Sequence, residues 1–151
     1  MDAFDMVSLT DLLAGVNKKY FSLSEANRSI TLVRRIVADI VRDYQELCEL
    51  HAACKAYDAA GDVCRAEQGR ERYARVTDHL SELQEELEKV GCEVKDYRLG
   101  LVDFPALLEG REVYLCWQIG EECVAHWHET NTDYARRRPI PLPSAREFSI
   151  G

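Results

Sequence analysis

From Ser22 onward the apolar positions fall at Ile30, Val33, Val37, Ile40, Tyr44, Leu47, His51 and Cys54. The intervals alternate between four and three, the heptad spacing of a helix that buries one stripe against a second helix. Ser22 followed by Glu25 is a capping-box pair, each side chain able to satisfy a free amide of the first turn. The pattern predicts a helix over about 23–60, roughly 50 Å long at 1.5 Å per residue. Gly61-Asp62 interrupts it, and the stretch through Glu67-Gln68-Gly69 is polar and glycine-containing. A second seam at Tyr73, Val76, Leu80, Leu83, Leu87 and Val90 predicts a helix over about 70–90, stopped at Gly91. Two seams with a short connection fold back as an antiparallel hairpin, here centred near residue 65, which sets His51 against His79. Residues 6–15 read as a short amphipathic helix capped by Ser8, with Asp11 three residues on, in an N-terminal arm over 1–19.

Beyond Gly91 the period changes from helical to alternating. Cys92 to Tyr97 alternates imperfectly, and Gly100 to Pro105 is a short extended piece ending at proline. Apolar-rich runs over about 112–119 and 122–128 flank Gly120-Glu121 and predict a hairpin. The expected fold class is α+β: a long antiparallel helical hairpin packed with a small antiparallel sheet of three to four strands. A single domain over 20–138, with its sheet within about 92–129, precedes an extended tail over 139–151 that holds Pro139, Pro141 and Pro143.

Composition narrows the functional classes. The chain has 151 residues, 19 basic against 27 acidic side chains, and a net charge of -8. Such a field opposes nonspecific nucleic-acid binding, so no nucleic-acid partner is expected. Arg136-Arg137-Arg138 concentrates positive charge and reads as part of a solvated tail. No apolar run reaches the roughly 20 residues of a bilayer span, and Met1 to Asp5 is acidic, unlike an export signal. A cytoplasmic, non-membrane protein is the expectation. Its six cysteines then read mostly as small buried hydrophobes.

The chemistry concentrates at the end of the predicted sheet. In His126-Trp127-His128-Glu129, strand alternation puts both histidines on one face. Imidazole suits zinc, iron or nickel, and a carboxylate commonly completes such a set, which makes Asp103 and Glu129 candidate ligands beside His126 and His128. If Gly120-Glu121 is a two-residue turn, Leu115 stands opposite His126 and Val113 opposite His128. Cys116 and Glu129 then project to the other face. Glu129 would need a turn after His128 to act as a ligand or as a base on metal-bound water.

The chain resembles a family of uncharacterised bacterial proteins, DUF2203. The resemblance rests on Phe21-Ser-Leu-Ser-Glu-Ala-Asn27, Gly100-Leu-Val-Asp-Phe-Pro105, Gly110-Arg-Glu-Val-Tyr-Leu-Cys-Trp117, Gly120-Glu121 and Trp127-His128-Glu129. It implies that Glu25, Asn27, Asp103, Arg111, Trp117, His128 and Glu129 are the positions to watch. Asn27 and Arg111 are unexplained by capping or strand pattern, so a polar network of Glu25, Asn27, Arg111 and Asp103 is expected.

Two readings follow. The first is a structural or protein-interaction module, a homodimer that covers the part of the hairpin overhanging the sheet. The alternative is a divalent transition-metal-binding protein with a His126/His128 site, extended to a metal-dependent hydrolase with Glu129 as base.

Overall fold

The computed structural model describes residues 19–141, so the expected N-terminal arm and most of the tail lie outside the described residues. The capping box forms as read. The Ser22 hydroxyl accepts from the Glu25 N–H at 3.1 Å, and the Glu25 carboxylate accepts from the Ser22 N–H at 3.1 Å. Helix α1 then runs over Leu23–Ala59. Helix α2 spans Val63–Val90 and starts seven residues before the expected position, because Asp62 caps it by accepting from the Arg65 N–H at 3.2 Å. Gly69, read as part of a break, sits inside α2 at a close approach of the two helices. A Cβ there would lie 2.5 Å from the Cys54 sulfur. Gly91 ends α2 with φ of 108° and an N–H bond to the Leu87 carbonyl at 3.0 Å.

Because the hairpin turns at residues 60–62 and not near 65, its register is displaced from the expectation. His79 meets Asp43, with Nδ1 2.5 Å from the carboxylate, while His51 is exposed elsewhere. The interhelical histidine pair is not formed. Asp43 is buried, and no residue of α1 beyond it is fully buried. The distal part of the hairpin therefore projects past the core, tied by ion pairs such as Arg72 to Glu46 at 2.7 Å.

The sheet is an antiparallel meander in the order β1-β2-β3-β4-β5. Its strands are β1 Glu93–Asp96, β2 Leu101–Leu108, β3 Arg111–Gln118, β4 His126–Glu129 and β5 Arg138–Pro139. The fifth strand is a two-residue addition from the stretch read as the start of the tail, and the Ile140 N–H extends it to the Ala125 carbonyl at 2.8 Å. β2 continues through Pro105 because β1 pairs only as far as Asp103. At Pro105 the strand has an open edge, where a missing N–H costs nothing, and the Phe21 N–H caps that edge on the Pro105 carbonyl at 2.7 Å. β2 and β3 join through Glu109 and Gly110, both with positive φ (53° and 80°), as a two-residue hairpin turn requires.

One sheet face carries Val102, Phe104, Ala106, Val113, Leu115 and Trp117, all fully buried. It packs on Ile30, Val33, Val37 and Ile40 of α1 and on Leu83 and Leu87 of α2. The opposite face, away from the helices, carries the polar chemistry.

Candidate metal centre

The register of β3 against β4 decides which side chains meet. The pairs are Val113 with Glu129, Tyr114 with His128, Leu115 with Trp127, and Cys116 with His126. This is one residue off the register expected from a two-residue turn, and a one-residue slip exchanges the faces. Gly120-Glu121 does begin a turn, with the Glu121 N–H on the Gln118 carbonyl at 3.0 Å. However, β3 ends at Gln118 and β4 starts at His126, so a seven-residue loop separates them.

Side chains fix that loop. Asn27 accepts from the Val124 N–H at 2.7 Å and donates to the Val124 carbonyl at 3.3 Å, imitating a neighbouring strand. Arg34 donates to the carbonyls of Glu121 and Glu122 at 3.3 and 3.1 Å, and the Trp117 indole donates to Glu121 O at 3.1 Å.

The slip puts His126 and His128 on the face of Cys116, and not with Trp117 and Val113. In β2, Asp103 pairs with Cys116, so Asp103, Cys116 and His128 converge from three adjacent strands. All three are buried, and one ligand atom from each lies within 4.8 Å of the others. This group could hold a metal ion. His128 Nε2 is 3.0 Å from Asp103 Oδ1, and His128 Nδ1 is 2.7 Å from the Glu129 carbonyl. A carbonyl only accepts, so Nδ1 carries a proton and Nε2 faces the carboxylate. For Nε2 and Oδ1 to bond, the pair must hold one further proton between them. Burial pushes the Asp103 carboxyl above the ordinary carboxylate range, partly offset by the adjacent His128 ring. Burial likewise pushes the Cys116 thiol up to about 12; the Asp103 charge adds to this and Arg137 opposes it.

The group forms the floor of a pocket of about 410 Å³. Lys95, Leu99, Leu101 and Tyr114 supply walls from the sheet side, and the segment Thr130 to Ala135 supplies the other. That segment runs into the short 3-10 helix Tyr134–Arg136.

The remaining expected site residues have other partners. His126 is opposite Cys116, but its Nδ1 is buried without a hydrogen bond, 3.8 Å from a Glu121 oxygen. A two-histidine site is not assembled. Glu129 shares the face of Val113 and accepts both Nη2 and Nε of Arg111, at 2.6 and 3.2 Å. Glu25 stays in the capping box, Asn27 holds the loop and Asp103 meets His128, so the expected Glu25–Asn27–Arg111–Asp103 network is instead four separate pairings. Of the six cysteines only Cys92 and Cys116 are buried, Cys54 is half-buried, and Cys48, Cys64 and Cys123 are exposed.

Sequence reasoning set Cys116 aside because the expected register turned it to the other face, and it read Arg137 as part of a solvated tail. Cys116 would have been found with the correct register, since strand pairing alone brings it to Asp103. Arg137 carried no periodic signal. It is not a solvated tail residue: its side chain is 15% exposed and pairs with Glu121 through two bonds of 3.0 and 2.9 Å.

Residues 19–140 match DUF2203, described as an uncharacterized conserved protein. The chain belongs to that family. The matched span is nearly coextensive with the described fold and contains the whole Asp103–Cys116–His128 group. No curated protein and no solved structure matches the chain. No helix among the described residues is long and apolar enough to cross a membrane.

Proposed function

We propose that this protein binds a divalent transition-metal ion through Asp103, Cys116 and His128, with the ion facing the adjoining pocket. The observation that carries the reading is the convergence of three different ligand types, all buried, from three neighbouring strands. Two donors on a tetrahedral ion at about 2.1 Å each stand about 3.4 Å apart, a few tenths of an ångström beyond the 3.0 Å between His128 Nε2 and Asp103 Oδ1. The Nδ1 bond to the Glu129 carbonyl supplies the outer contact that orients a ligating imidazole. A thiolate, imidazole and carboxylate together suit zinc first, then iron or nickel. Three protein ligands leave a coordination position for a small molecule, as in catalytic rather than structural zinc sites. The ion would supply Lewis acidity there. Glu129, held by Arg111 on the other sheet face, is not placed to serve as a base.

The test is metal analysis of protein purified without a histidine tag, followed by zinc, iron and nickel titration of the stripped protein. One ion per chain is expected, lost in His128→Ala and Cys116→Ala and kept in His126→Ala. No uptake of any of the three ions by the wild-type chain would end the reading.

A second reading rests on the hairpin. Beyond the sheet it exposes Val63 (64%) and Tyr73 (40%), and self-association into a homodimer along this projecting part would cover them.

A further inference from the structure

We propose that the pocket over the Asp103–Cys116–His128 group takes a small organic monocarboxylate, with Lys95 as the cation that binds its acid group; this rests on the metal reading above and names the ligand for the ion's open position. The placement of Lys95 follows from strand alternation. Val94 of β1 is buried in the core, so Glu93 and Lys95 on either side of it project to the open sheet face. The Lys95 ammonium lies 5.0 Å from the centroid of the Tyr114 ring and 3.1 Å from Glu93 Oε1. The Tyr114 ring in turn stands 5.5 Å from the His128 ring. One aromatic ring therefore separates the ammonium from a residue of the centre, and all three side chains border the same pocket of about 410 Å³. Among the described residues lining that pocket, Lys95 is the one cation. An ammonium carries three donors and Glu93 engages one, which leaves donors for a ligand.

The acidic groups of the lining set how much negative charge fits. Asp96 Oδ1 already accepts the N–H groups of Arg98 and Leu99, at 2.9 and 2.8 Å, and serves the turn. Asp133 stands in the opposite wall, exposed, and makes no capping bond to the 3-10 helix it precedes. Within the centre, Asp103 and a ligating sulfur offset both charges of a divalent ion. A monoanion gains Lys95 and the ion at contact range, against one solvent-screened carboxylate across the pocket. A dianion doubles that repulsion and brings its second charge to no partner. An ammonium ligand would meet Lys95 as a like charge. The rest of the lining favours hydrocarbon: Leu101 and Ala135 lie there, and Leu99 is 43% exposed where a ligand would cover it. The volume falls at the small end of ligand pockets, so that body is a few carbons long.

The experiment titrates the cobalt(II)-loaded chain with butyrate, butyramide, butylamine and inorganic phosphate, reading the visible cobalt bands. Cobalt affinity is measured separately for every variant. Butyrate should perturb the bands and bind roughly tenfold more tightly than the other three probes. In Lys95→Met its affinity should fall roughly five- to tenfold, the loss of one partly solvated charged bond, with cobalt affinity and butyramide binding unchanged. Lys95→Arg should recover most of the loss, since either cation pairs with a carboxylate. Equal butyrate affinity in the wild-type chain and Lys95→Met overturns the inference, as does amide, amine or phosphate binding as tightly as butyrate. If Lys95→Met lacks native circular dichroism, the same comparison with Lys95→Gln decides. Failure of the wild-type chain to take cobalt sinks the metal reading and this inference together, whereas cobalt uptake without a response to butyrate sinks this inference alone.

Discussion

Loading the centre with zinc at neutral pH should displace two protons, and their origin can be traced group by group. The first comes from Cys116, whose thiol is pushed up to about 12 and is protonated in the metal-free chain. Only its thiolate ligates. The second comes from the Asp103–His128 pair. Nδ1 keeps its proton on the Glu129 carbonyl, while the proton between Nε2 and Oδ1 must leave before both atoms can face an ion. Two protons released per ion make the apparent affinity rise about hundredfold per pH unit, or about 2.7 kcal/mol. The assay is titration calorimetry in two buffers of different ionisation enthalpy, which counts protons directly, repeated at several pH values. Asp103→Asn supplies the control. Its amide can donate to Nε2 without a shared proton, so weaker binding with release of one proton is expected. A wild-type count of one or fewer would refute the shared-proton assignment.

Three further outcomes follow from other parts of the fold. Asn27→Ala leaves both main-chain groups of the buried Val124 without their partner; a loss of roughly 2–4 kcal/mol is expected in urea unfolding, and a loss below about 1 kcal/mol would show that water replaces the amide. Cys92 and Cys116 are both raised from 9.0 to about 12 by burial. Between those values the unfolded chain has already lost thiol protons that the native chain retains, so metal-free stability should fall as pH rises through the window. The slope should approach about 1.4 kcal/mol per pH unit for each thiol, and Cys92→Ala should remove half of it in urea midpoints measured above pH 9. Self-association through the projecting hairpin should appear as a dimer in light scattering and weaken in Val63→Lys; the 17.3 kDa monomer mass at tens of micromolar would exclude it.

The helical part of this fold was legible because its signals are local. Heptad spacing, the Ser22–Glu25 box and the Gly91 stop each act within a turn or two; the box and the stop are found where they were read, and the seams are buried at Ile30, Val33, Val37, Ile40, Val76, Leu83 and Leu87 but exposed at His51 and Tyr73. The early start of α2 was hidden because Gly69 resembles a helix breaker in sequence, while its role is to let Cys54 approach. The site was legible by residue type but not by grouping. Asp103 and His128 stood out, yet their partner depended on a strand register set by Asn27 and Arg34, almost a hundred positions upstream of the loop they hold. No turn signature near Gly120 could reveal that. Arg137 was concealed for the same reason: its place comes from its pairing with Glu121, and its own neighbourhood in the chain reads as solvated charge.

The bond pair between Asn27 and Val124 spans 97 positions, and this has a consequence for the order of events during synthesis. The opening turn of α1 leaves the ribosome early, but the backbone it must grip arrives only after both helices and three strands have been made. Glu121 is not locked, and Arg137 has no seat, until that late grip is in place. The ligand group therefore cannot exist in a nascent fragment that ends before β4. If the proposed ion is bound, its retention would mark a chain that has been made past His128, and one stalled before β4 would be recognisable by its failure to retain metal.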